Sequence, residues 1–196
     1  ILGKPIFKNQ KQFLSPHIKS FINLPKKYEK RIIMPISLPG LFTKNMSTVI
    51  GGKSYEHYFN DLILFLSKLK PSILDKLVFR FQNETKYFDY DKIIKKKFPS
   101  IKISYGKESF KSELMRCNLC ICTANATTIL ESFTSGVPTI MFWRKNYYQG
   151  ANYIEKNFAS FSRDKIFYND PIKAAKYLNN NYINIQNIWS EFILKK

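Results

Sequence analysis

Asn125, Thr127, Thr128 and Glu131 are the residues whose types and spacing best fit chemistry. Three short polar side chains open a segment in which Ile129, Leu130 and Phe133 recur at helical spacing, so they sit where a helix begins. A helix start presents unpaired N–H groups and the positive end of the helix dipole, which suits an anion such as a phosphate. Glu131 lies one turn further in, where a carboxylate can accept hydrogen bonds from ribose or sugar hydroxyls. The plainer reading of the group is a capped structural helix. Arg80 closes the apolar run Leu77-Val78-Phe79, where its guanidinium would grip a phosphate; its plainer reading is a half-exposed strand position. Gly51-Gly52-Lys53-Ser54 echoes the end of a P-loop, but that pattern needs a glycine at position 47, which is Ser. What survives is a Gly51-Gly52 pair ahead of a helix, able to bring backbone N–H groups close to a phosphate.

Other reactive residues carry less. Cys120 and Cys122 alternate inside an apolar run, and Cys117 precedes them, so the three read as core rather than as redox or zinc ligands. His17 and His57 have no nearby acidic pair in sequence and read as surface residues. Nothing matches a Ser-His-Asp order, His-Glu-x-x-His, a metal cluster or a dinucleotide Gly-x-Gly-x-x-Gly.

The elements that position these residues alternate. Apolar runs at 32–36, 77–81, 101–104, 119–122 and 139–143 read as strands, with a weak one at 165–168. Helical patterns fall between them: Ser54 to Lys70, Asp89 to Phe98, Ser109 to Arg116, the segment ending at Gly136, and Tyr147 to Phe158. Asp170-Pro171 opens a further helix, and 185–194 forms the last. Strands joined through single helices by short links imply a parallel sheet covered on both faces. The expected fold is therefore α/β, a Rossmann-like doubly wound sheet of about six strands. Ligands of such sheets bind beyond the carboxyl ends of the strands, which is where Arg80 and the 123–128 turn fall. Residues 1–30, broken by Pro5, Pro16 and Pro25, read as an irregular linker or the remnant of an upstream region, and 31–196 as the domain.

With 196 residues, 44% of them hydrophobic, the chain is long enough to bury one full core. The net charge of +18 favours phosphorylated substrates or an anionic membrane surface. The positive charge is scattered, and no nucleic-acid-binding motif accompanies it, so no specific nucleic acid is expected as partner. The expected location is the cytoplasm, with peripheral contact at the inner face of the membrane.

Thr123-Ala-Asn-Ala-Thr-Thr-Ile-Leu-Glu-Ser132 followed by Gly136-Val-Pro-Thr-Ile-Met-Phe-Trp143 resembles the C-terminal half of GT-B glycosyltransferases. In particular it resembles a family of bacterial surface-polysaccharide transferases, related in outline to Kdo transferases. Arg80, Asp170-Pro171 and Trp189 fall in with that family, whereas Ser190 stands where its members carry a second Trp. The resemblance implies a donor-binding domain that holds a nucleotide-sugar without a cofactor or metal. Asn125, Thr127 and Thr128 would hold the donor phosphate, Glu131 its hydroxyls, and Arg80 would stabilise charge on the leaving phosphate. The acceptor would be a glycan or a lipid-linked glycan, and the base would come from an upstream domain of a longer enzyme. A transferase of glycerophosphate-type units and a non-catalytic nucleotide- or polyanion-binding module are the alternatives.

Overall fold

The computed structural model describes residues 15–25, 29–37, 52–81, 89–144 and 152–194. Six strands form one parallel sheet: β1 Arg31–Pro35, β2 Leu77–Arg80, β3 Lys102–Ser104, β4 Cys117–Cys122, β5 Thr139–Phe142 and β6 Phe167–Tyr168. Their order across the sheet is β3-β2-β1-β4-β5-β6, and every pairing is parallel. The chain starts in the middle and winds outward in both directions. The switch point, where ligands of doubly wound sheets bind, therefore lies between the carboxyl ends of β1 and β4. This is the fold expected from the alternating pattern.

Because both faces are covered, the inner strands β1, β4 and β5 are apolar on both sides. Ile32, Met34, Leu77, Phe79, Leu119, Ile121, Ile140 and Phe142 point to one core, shared with helices α2 (Gly52–Ser67), α4 (Tyr90–Lys97) and α8 (Pro171–Asn181). Ile33, Cys120, Cys122 and Met141 point to the other. That core is closed by α5 (Phe110–Met115), α6 (Thr127–Thr134), α7 (Asn152–Arg163) and α9 (Ile185–Leu194). Phe65 of α2 stacks on Phe142 of β5 with ring centroids 4.4 Å apart, and burying each such side chain contributes roughly 1.5–3 kcal/mol.

Several boundaries differ from the expected ones, each for a local reason. Within the stretch expected to be irregular, α1 (Pro16–Lys19) makes one helical turn, and Ile18 and Phe21 are buried. Proline at its first position fits a helix start, and Phe21 joins the core beside α5 and α6. A second one-turn helix, α3 (Pro71–Leu74), follows α2, again with proline first. Gly52 opens α2, so Ser54 lies inside that helix and not at its cap. The fifth helix of the expected series is described from Asn152 and runs further than expected, to Arg163, as α7: Phe158 and Phe161 are three residues apart and both pack against the second core. Lys165, at φ 59°, ends that turn in the left-handed conformation usually left to glycine. Residues 145–151, which include the expected start at Tyr147, lie outside the described residues.

Candidate functional site

The switch point is tied together by hydroxyls. Thr123, the first residue past β4, donates from Oγ1 to the carbonyl of Pro35 at the end of β1, 3.3 Å away. The Tyr58 hydroxyl lies 2.7 Å from the same Oγ1, and with the Thr123 proton already committed, Tyr58 is the donor. Tyr58 Oη in turn accepts from the Ser37 N–H at 3.1 Å. One chain of hydrogen bonds thus joins the carboxyl ends of β1 and β4 to α2. Burial is complete around Tyr58 and pushes its phenol up to about 12, so it stays neutral and can donate.

Directly beyond Thr123 the chain turns into α6. Its N-cap is Ala126, in extended conformation (φ −132°, ψ 168°), and no side chain caps the first-turn amides. Ser109 caps α5 and Asp170 caps α8 through their own oxygens. Asn125 and Thr127 are exposed and Thr128 is half-buried, so the three polar residues expected at this helix start do flank it. The far end of α6 is closed by Gly136 at φ 69°: Val137 N–H reaches Ser132 O and Gly136 N–H reaches Phe133 O. Those two bonds are the Schellman pattern, and they fix where the helix stops and β5 can start.

Glu131 is buried against α1. Its side chain is 9% exposed, and Oε1 lies 2.6 Å from Nε2 of His17 on α1, whose side chain is 62% exposed. The imidazole edge packs on Phe21 at 5.3 Å. His17 is therefore an acid's partner, a pairing 114 residues apart that sequence spacing does not reveal.

Arg80 sits at the carboxyl end of β2, as expected, but it is 13% exposed and enclosed. Its Nε donates to Glu113 of α5, its Nη2 to the carbonyl of Glu108 at 3.2 Å, and its guanidinium carbon lies 5.5 Å from the Phe110 ring centre. Ser104 Oγ donates to the other Glu113 oxygen. Two strand spacings separate β2 from β4, roughly 10 Å at the usual distance. The structure thus brings Asn125, Thr127 and Thr128 together at the switch point, with Glu131 one turn below, and holds Arg80 apart. Gly51 lies outside the described residues, while Gly52 is the first residue of α2.

The three cysteines are buried and unbridged, with Cys120 and Cys122 sulfurs 3.7 Å apart on one face of β4. Burial pushes the Cys117 thiol up to about 12 and the Cys120 thiol well up, which keeps both protonated and poorly nucleophilic, as core residues are. Among the described residues no group of three or more His, Cys, Asp or Glu could hold a metal ion.

Sequence reasoning did not single out Tyr58, Asp61 or Arg144 as site residues. The available signal was Asp61, an acid on the same helical face as Tyr58, Leu62 and Phe65. Both of its oxygens accept from Arg144, two residues past β5.

A sheet in the order 3-2-1-4-5-6 makes the chain an α/β protein of the Rossmann-like, doubly wound class, with a helix start at its switch point whose N-cap residue offers no side-chain cap. The sequence profile of the LIC12162 family of transferases matches residues 8–195, and the chain belongs to that family. A search of curated proteins found no match. The chain is thus a transferase by family. Among the described residues no helix is long and apolar enough to cross a membrane.

Proposed function

We propose that the chain is the donor-binding domain of a GT-B-type glycosyltransferase, which takes a sugar from a nucleotide-sugar and passes it to a surface-polysaccharide acceptor. The observation that carries this reading is the β4–turn–α6 unit. It sets first-turn amides without a side-chain cap, beside Asn125, Thr127 and Thr128, at the switch point of a sheet in a transferase family. Those amides and hydroxyls would hold the donor phosphate, and the dipole of α6 favours its charge. Glu131 would accept from donor hydroxyls while His17 fixes one of its oxygens. Arg80 would reach a leaving phosphate only by giving up Glu113, so in the arrangement seen its charge acts at longer range. Donor binding in this reading draws on no cofactor or metal, and the base for the acceptor hydroxyl would come from a second domain. The scattered positive charge would favour an anionic membrane surface carrying a lipid-linked acceptor.

A thermal-shift screen with UDP-, GDP-, CMP- and CDP-linked sugars tests the reading. The expected result is stabilisation by one nucleotide class, reduced in Thr127→Val and Glu131→Gln. Stabilisation by a CDP-linked polyol alone would favour transfer of glycerophosphate-type units instead. No shift with any donor overturns both.

A further inference from the structure

The enclosed acid of α6 carries an accessible imidazole on its outer side. The Glu131 side chain is 9% exposed, that of His17 62%. A ligand arriving at this point therefore meets the imidazole before the carboxylate. The imidazole is also fixed in advance. Nε2 lies 2.6 Å from Glu131 Oε1, and the ring meets Phe21 edge-on at 5.3 Å. Its backbone is anchored by Ile18 and Phe21, each 3% exposed. The N–H and the hydroxyl of Ser20 both donate to the His17 carbonyl. A group held this firmly loses little freedom when it takes a ligand.

The pairing also decides what the ring can offer. An ionised carboxylate only accepts, so Nε2 carries the proton, and in the neutral ring Nδ1 is then an acceptor. Nδ1 makes no hydrogen bond among the described residues. Its place follows from the helix. Glu131 lies four residues after Thr127 and three after Thr128, spacings that bring Cβ atoms to about 5–6 Å on one helix face. Helical side chains lean toward the start of their helix, so the Glu131 carboxylate covers the first turn of α6. With α1 packed on α6, the carboxylate sets His17 beside that turn.

We infer that Nδ1 of His17, oriented through Glu131, accepts a hydrogen bond from a hydroxyl of the nucleotide-sugar, on the ribose or on the transferred sugar. The inference rests on the donor-binding reading above and moves its hydroxyl contact outward, from Glu131 to His17. Glu131 acts through His17 and is a positioning residue.

The test is calorimetric titration of the full chain with UDP, GDP, CMP and CDP, with their 2′,3′-dideoxy counterparts, and with the sugars linked to each nucleotide. Three variants are compared. His17→Phe keeps a ring against Phe21 and loses both nitrogens. His17→Gln keeps an N–H for Glu131 and an oxygen that can accept. The pair His17→Phe/Glu131→Leu leaves no acid buried without a partner, and melting curves check that each variant folds. The wild type should prefer the hydroxyl-bearing ligand by about tenfold, the worth of one well-placed hydrogen bond. His17→Phe and the pair variant should lose that preference, and His17→Gln should keep most of it. A preference for ribo over dideoxy nucleotide that vanishes in His17→Phe assigns the contact to the ribose. A gain from the linked sugar that vanishes there assigns it to the sugar. Equal loss across all ligands would mark the pair as structural and overturn the inference. So would a wild type that favours neither hydroxyl-bearing set. If the wild-type chain binds none of these ligands, the donor reading falls and takes this inference with it. Donor binding with an undiminished preference in a folded His17→Phe sinks this inference alone.

Discussion

At the scale of single residues, partners decide what a charged group can do. Arg80 and Glu113 are each almost enclosed, so removing one strands the other. We expect Arg80→Ala to lower stability by about 3 kcal/mol, the usual cost of an uncompensated buried charge. The double change Arg80→Ala/Glu113→Ala should cost less than the two single losses added together. Urea denaturation of the four proteins checks this, and additive losses would show that the pair is not coupled. The same cluster constrains Gly106, whose φ is 67°. A Cβ there would lie 3.2 Å from the Phe81 carbonyl and 3.4 Å from Arg80 Nη2. Left-handed backbone and a close carbonyl together make Gly106→Ala destabilising by about 1–2 kcal/mol. A variant that melts at the wild-type temperature would contradict this. Either change would depress activity through folding, so an activity loss at Arg80 has to be read beside a melting curve.

At the scale of elements, α6 and α8 contrast at their starts. The Asp170 carboxylate accepts from the Ile172 and Lys173 amides, whereas Ala126 offers α6 no such oxygen. Ala126 already has the extended backbone of a capping residue, so Ala126→Asp should cap α6 and stabilise the chain by about 1 kcal/mol. The new carboxylate would occupy the amides that a donor phosphate needs and would repel it. We therefore expect a higher melting temperature together with at least tenfold weaker nucleotide binding. A rise in stability with binding intact would place the phosphate elsewhere. Much of this element was legible in the sequence, because its signals are local: helical spacing of Ile129 and Phe133, then Gly136 and Pro138 to end it. The strand–helix alternation was legible for the same reason, and it was enough to give the doubly wound sheet. What spacing could not give were the long-range pairings. His17 meets Glu131 and Asp61 meets Arg144 only because the sheet brings α1 to α6 and α2 to β5. One-turn helices such as α1 and α3 are also invisible to periodicity, which needs more than one turn to register. Their sequence signal is the proline at the first position.

At the scale of the whole molecule, the buried titratable groups set a limit on the alkaline side. Burial raises Tyr58 to about 12 from an ordinary 10.0, and Cys117 to about 12 from 9.0; it raises Tyr55, Tyr168 and Cys120 as well. Each folded value lies above its unfolded one, so the folded chain holds on to protons that the unfolded chain releases first. The stabilising contribution is complete below the unfolded values and is lost as pH rises through the interval up to the folded ones. Stability should therefore hold up to pH 9 and fall steadily between pH 9 and 12. Tyr58 accounts for about 2–3 kcal/mol of that fall, because each tenfold difference in proton affinity between the folded and unfolded chain is worth about 1.4 kcal/mol. It also holds the hydrogen bonds that join Ser37 and Thr123 across the switch point, so its ionisation would open the ligand edge along with the core. Tyr58→Phe separates the two effects. It removes the ionisation, so its decline between pH 10 and 12 should be shallower than that of the wild type. Below pH 9 it should be less stable by about 1 kcal/mol, because Ser37 N–H loses its acceptor. Melting temperatures of both proteins across pH 7 to 12 measure this, and parallel curves would show that Tyr58 does not titrate with unfolding.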